Sequence, residues 1–158
     1  MLTIAPVTSG YELPLLLFSG FRTLIERLHE ELARQGHTGA RPAHGFALQA
    51  IGPTGVTAAE LGRRLGVSKQ AAGKTVDRLM RLGYVERAAS ESDGRAKVVR
   101  LTPFGIDLLN RSAAIFDTLR TEWVAELGED RVAALEAALR TVVPAGVRVD
   151  AVGWLGAE

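Results

Sequence analysis

The 158-residue chain contains no cysteine. That absence excludes disulfides, thiolate nucleophiles, cysteine redox sensing, iron-sulfur clusters and the usual Cys-rich zinc sites. Long apolar runs are missing as well, since no stretch approaches the roughly 20 residues that cross a bilayer. The opening MLTIAPVTSG lacks the charged start and small-residue cleavage site of a signal peptide, so a cytoplasmic location is expected. Net charge is only +1, which by itself gives no reason to expect a polyanionic partner. Internal repeats and low-complexity segments are absent. The three histidines, His29, His37 and His44, fall in one helix and two loop or helix-start positions, without the carboxylates of a metal or nucleophile site. No enzyme activity, metal or cofactor is expected.

What is present is ordinary globular material, 47% hydrophobic and 23% charged, enough for one domain over 1–158 with one core. The small net charge conceals an uneven spread. Residues 61–100 hold ten Lys or Arg against four Asp or Glu, while the rest of the chain is acidic overall. A basic segment in a near-neutral protein fits a surface that meets phosphates, and it also fits a solvated face. The choice depends on how the segment is built.

Residues 11–35 place Leu17, Phe21, Leu24, Ile25, Leu28 and Leu32 at helical spacing, with charged residues opposite. Pro42 can open a short helix carrying Phe46, Leu48 and Ile51, which ends before Gly52-Pro53. Thr57-Ala58-Ala59-Glu60 has the form of a capping box, predicting a helix to Leu65 that Gly66 stops. Ser68 caps the next helix, to about Leu82, with Ala72, Val76, Leu79 and Met80 inward and Gly83 beyond its end. Two capped helices joined by Leu65-Gly66-Val67 form a helix-turn-helix signature.

Tyr84–Arg87 and Lys97–Leu101 read as two strands of a hairpin with a long polar tip. Thr102 then caps a helix with Pro103 in its first position, running to about Leu127. Its apolar positions at helical spacing include Ile106, Leu109, Ala113, Phe116, Leu119, Trp123 and Leu127. Residues 129–142 form a last helix with Val132, Leu135 and Leu139 inward. The tail 143–158 is apolar and rich in Gly and Pro, and is expected to dock rather than hang free.

The order helix-turn-helix then hairpin is that of a winged helix, and the predicted fold class is mainly α with a small β-hairpin wing. VTAAELGRRLGVSKQAAGKTVDRLMRLGYVER followed by SDGRAKVVRLTPFG resembles the core of the MarR family of bacterial transcription regulators. The resemblance covers about residues 42–110, with Asp93-x-Arg95 and Leu101-Thr102 at the family's wing spacing. It implies a winged-helix DNA-binding core over 42–101, flanked by dimerisation helices at 11–35 and 103–142. It also implies a small, often aromatic or phenolic ligand bound between the dimer helices and the DNA-binding part.

The residues agree with a double-stranded DNA partner. A helix fits the major groove, where its first turns approach base edges, so Lys69 and Gln70 are placed to meet bases, with Lys74 and Arg78 on phosphates and Ser68 also counted among the DNA-binding residues. Gly73 either allows close backbone approach to DNA or is simply tolerated. Arg95 can enter a minor groove, with Lys97 beside it; Asp93 would be repelled by phosphate and is better assigned to supporting the wing. Apolar residues on the flanking helices exceed what one compact winged helix can bury, which predicts a homodimer on a pseudo-palindromic site. Phe18, Phe21, His44, Phe46 and Phe116 could line an effector pocket, or belong to the core. Without a thiol, an effector must bind non-covalently. The expected role is a repressor relieved by such a ligand; a winged helix used for protein contact is the alternative.

Overall fold

The structure is a computed structural model, and it describes residues 9–90, 94 and 97–145. Six helices and one hairpin follow in the order α1 (Ser9–Arg34), α2 (Pro42–Ile51), α3 (Ala58–Leu65), α4 (Lys69–Arg81), β1 (Val85–Ala89), β2 (Lys97–Leu101), α5 (Pro103–Leu127) and α6 (Glu129–Val142). The strands pair antiparallel, with Val85 opposite Leu101 and Ala89 opposite Lys97. A bridge between Val56 and Val99 attaches the segment before α3 to β2 through two backbone hydrogen bonds of 2.9 and 2.7 Å. Among the described residues no helix is long and apolar enough to cross a membrane. Asp93, Arg95 and most of the 143–158 tail lie outside the described residues.

Local chemistry explains the helix starts. The hydroxyls of Thr57, Ser68 and Thr102 accept from the backbone N–H three residues on, at 3.2, 3.1 and 3.2 Å. Gly66 ends α3 in the left-handed region at φ 66°, ψ 27°. The expected reciprocal half of the Thr57 box does not form, because Arg63 and Arg64 take the Glu60 carboxylate. That reciprocal half is found alone at α2, where His44 Nδ1 accepts the Arg41 N–H at 3.1 Å.

The core runs through Leu28 and Leu32 of α1, Leu48 and Ile51 of α2, Leu61 and Leu65 of α3, Val76 and Leu79 of α4, Tyr84, Val99, and Leu108 and Leu119 of α5. Four details differ from the sequence expectation. α1 begins by Ser9 and carries Pro14 in its second turn, forgoing one helical hydrogen bond there. On α4, Met80 is 37% exposed, because Ala72, Val76 and Leu79 already complete the inward stripe. On α6, Val132 is buried but Leu135 is exposed. On α5 the buried stripe is Gly105, Leu108, Ser112, Ile115 and Leu119, one residue earlier than the apolar positions read from the sequence over its first three turns, leaving Ile106 47% exposed and Ala113 exposed. The cause is Gly105, which sits so close to the Tyr84 backbone that a Cβ there would lie 2.2 Å from the Tyr84 carbonyl oxygen, and this approach sets the rotation of the helix.

Ion pairs hold the long helices together. Arg27 of α1 is bidentate on Glu122 of α5, and Arg120 of α5 clamps Glu129 and Glu136 of α6. His37, buried after α1, stacks on Phe104 at 4.5 Å between ring centroids and meets two polar partners. Its Nδ1 lies 3.1 Å from the Tyr84 hydroxyl and its Nε2 2.9 Å from Asp107, an arrangement the Nε2–H tautomer satisfies at both nitrogens. Thr102 donates to the Gly83 carbonyl, and the Tyr84 carbonyl accepts from the Thr102 N–H at 3.0 Å. The end of α4, the base of the hairpin, α1 and α5 are thus joined at one junction.

Candidate nucleic-acid interface

The basic segment divides into two classes of side chain. On α3, Arg63 and Arg64 are bound to Glu60, and Arg64 also donates to the Ala50 carbonyl at 2.8 Å. On the strands, Arg87 reaches Asp77 of α4 at 3.0 Å and Arg100 pairs with Glu86 at 2.7 Å. Each of these four arginines is ion-paired within the fold, Arg63 and Arg64 sharing one carboxylate. By contrast Lys69, Lys74, Arg78 and Arg81 of α4, and Lys97 at the start of β2, have no ion pair among the described residues. The unpaired cations are therefore concentrated on one helix, the second of the helix-turn-helix, and at the root of the hairpin tip.

Gln70, Lys69 and Lys74 are exposed over the first turns of α4, and Arg78 is half-buried a turn later beside α2. Ser68 is occupied as the N-cap, so its hydroxyl has a structural duty. Gly73 is half-exposed, in the helix interior, where glycine costs about 1 kcal/mol relative to alanine. The Arg87–Asp77 pair ties the wing to α4. A contact ten residues along the chain leaves no local signature in the sequence.

A separate cavity of about 50 Å³ opens between α1, α2 and α5. Phe46 and Phe116 line it with Leu28, His29, Arg41 and Ser112. Phe18 and Phe21 do not; both are exposed on the outer half of α1, at 62% and 39%. His44 lies on α2 with its ring used in the cap, and it is buried, with its pKa pushed down to about 4 by burial first and by the nearby Arg78 and Arg41 charges second. His29 is the residue that sequence reasoning passed over. Both of its ring nitrogens are buried without a hydrogen bond of full geometry among the described residues; burial, the larger cause, lowers its pKa, and the Ala40 backbone pulls it the other way. The available signal was its place beside Ile25, Leu28 and Leu32 on the inward stripe.

Residues 39–96 match the family model of the MarR family. The multiple antibiotic resistance protein MarR of Salmonella typhimurium is 32% identical over 90 residues, which is 56% of this chain; the match spans only 62% of the length of that relative. Among solved structures, MarR of E. coli in complex with operator DNA superposes with a TM-score of 0.66 at 26% identity, covering 89% of this chain and 99% of that one. The PcaV transcriptional regulator of Streptomyces coelicolor, in complex with its natural ligand, shares the fold with a TM-score of 0.57 at 21% identity over 90% of this chain and 96% of that chain.

Proposed function

From the match of residues 39–96 to the MarR family model, we propose that this segment is a winged helix of that family and that the protein is a sequence-specific, DNA-binding transcription regulator acting in the cytoplasm as a homodimer. The observation that carries this reading is the segregation of charge. Every arginine on α3 and the described strands has a carboxylate partner, whereas the cations of α4 are left for an outside anion. An α-helix with Lys69 and Gln70 in its first turn and Lys74 and Arg78 behind suits a major groove with phosphates on its rims. The dimer is supported by the outer half of α1, where Tyr11, Leu13, Leu16 and Phe18 are all at least 62% exposed with nothing among the described residues covering them. Residues 11–35 and 103–142 then form the dimer scaffold, presenting two copies of the 42–101 core to one duplex.

Selection from a random DNA pool is expected to yield a pseudo-palindrome with half-site centres about 10 bp apart or a multiple of that spacing. Affinity for the winner should fall linearly in log-log form with salt, and sedimentation should give a dimer. Failure to enrich any sequence would overturn the reading and favour a winged helix used for protein contact. A monomer binding one asymmetric site would overturn the dimer alone.

Relief of repression by a small aromatic or phenolic ligand is placed at the cavity beside Phe46 and Phe116, which at about 50 Å³ must widen to admit a ring. His29 on its wall is neutral, its pKa lowered by burial, and can both donate and accept, as a phenol or carboxyl group requires. Calorimetry of aromatic acids and phenols is expected to show weaker binding to the DNA complex than to the free dimer. A ligand that weakens DNA tenfold must itself lose tenfold, about 1.4 kcal/mol. Peroxide-dependent release of DNA, reversed by thiols, would contradict this, because the chain has no thiol to oxidise.

A further inference from the structure

We propose that Gly73 is a specificity-determining position of α4, where the bare backbone lets the helix approach the floor of a major groove more closely than any side chain would allow. The inference rests on the DNA-binding reading above. It starts from the fact that nothing among the described residues asks for glycine at this position. A glycine is required by its own fold when its φ is positive, when a neighbour occupies the place of its Cβ, or when it ends an element. Gly66 and Gly83 meet the first condition, at φ 66° and 82°. Gly62 and Gly105 meet the second, with backbone atoms 3.0 and 2.2 Å from an added Cβ.

Gly73 meets none of them. It is the fifth residue of a 13-residue helix, its φ is not positive, and a Cβ built on it touches nothing within 4 Å. Alanine would fit without strain and would strengthen the helix. The surroundings of the position indicate what the bare backbone is for. Gln70, one turn before, and Asp77, one turn after, are exposed on the same side, and Lys69 and Lys74 flank it without ion-pair partners among the described residues. Gly45, the other interior helix glycine with ordinary φ and open space around it, lines the cavity beside Phe46. Each of these glycines thus leaves room at a surface proposed to meet something other than this chain.

Gly73→Ala gives stability and binding opposite signs, which a merely tolerated glycine would not. The variant is expected to melt about 2–4 °C higher than the native protein. It should lose about tenfold or more in affinity for the DNA selected with the native protein. Its binding to random-sequence DNA, and the slope of that binding with salt, should stay unchanged, because no charge is altered. Lys74→Ala serves as the contrast: it should weaken both DNAs alike and lower the slope by about one unit. Unchanged affinity of Gly73→Ala for the selected site would overturn the proposal while leaving DNA binding intact. A lower melting temperature would overturn it too, by showing that the fold needs the glycine. Failure of the native protein to prefer any sequence would remove the DNA-binding reading, and this inference with it.

Discussion

Gly105→Ala is expected to destabilise the protein by about 3 kcal/mol or more. The new methyl would lie 2.2 Å from the Tyr84 carbonyl oxygen, 3.1 Å from its carbonyl carbon and 3.4 Å from its Cα, and all three are backbone atoms. None can turn aside as a side-chain end could. The Tyr84 carbonyl already accepts from Thr102, its N–H donates to the Leu79 carbonyl at 2.9 Å, and its ring is buried against Phe104 and His37. Relief would require α5 to shift outward and break the Thr102 bond, in an interior that tolerates no such gap. Urea unfolding provides the measurement, with Ile106→Ala as the control. That exposed neighbour should cost under about 1 kcal/mol. If the Ile106 variant proved the more damaging, the rotation of α5 would be the one read from sequence periodicity and not the one described above.

Acid is expected to weaken the fold well before its carboxylates titrate. In the folded protein His44 has its pKa pushed down to about 4, against roughly 6.5 in an unfolded chain. Between those values the unfolded state binds a proton that the folded state refuses, so stability rises with pH. The contribution is complete above about pH 6.5 and is lost as pH falls towards 4, amounting to at most about 3 kcal/mol. His29, lowered by burial, acts in the same direction. Glu60, Asp107, Glu129 and Glu136 have pKa values held below the ordinary carboxylate range by their arginine partners, so their contribution fades only at lower pH. Urea midpoints at pH 7.5 and 5.0 therefore isolate the histidines. His44→Gln can still accept from the Arg41 N–H and should reduce the difference between the two midpoints; an undiminished difference would show that His44 is not its source.

The features that were legible in the sequence are those governed by a few consecutive residues. Thr57, Ser68 and Thr102 announce their helices because a hydroxyl and an amide three residues apart settle the matter locally. The basic character of 61–100 was equally plain. Its division into ion-paired and unpaired arginines and lysines was not, since Arg87 finds Asp77, and Arg64 the Ala50 carbonyl, only after folding. The first turns of α5 misled for a related reason. Leu109 and Phe116 form as good an apolar row as Leu108 and Ile115, and the choice between them is made by a glycine pressed against a distant carbonyl. In the cavity, Phe46 and Phe116 carry the usual mark of apolar lining. His44 and His29 look alike in sequence, yet one closes a cap and the other is left without a hydrogen bond of full geometry among the described residues.

The junction around Tyr84 also has a mechanical consequence. With Thr102 bound to the Gly83 carbonyl, Gly105 wedged against Tyr84 and His37 bridging Tyr84 to Asp107, the C-terminal end of α4 cannot tilt unless α5 moves with it. The two helices act as one lever whose fulcrum is this junction. The thirteen residues of α4 make an arm of about 20 Å, so a rotation of roughly 5° at the fulcrum carries Lys69 and Gln70 nearly 2 Å at the far end. A displacement of that size exceeds the tolerance of a directed hydrogen bond, so under the proposed function a small change among the long helices would take Lys69 and Gln70 out of register with a DNA site.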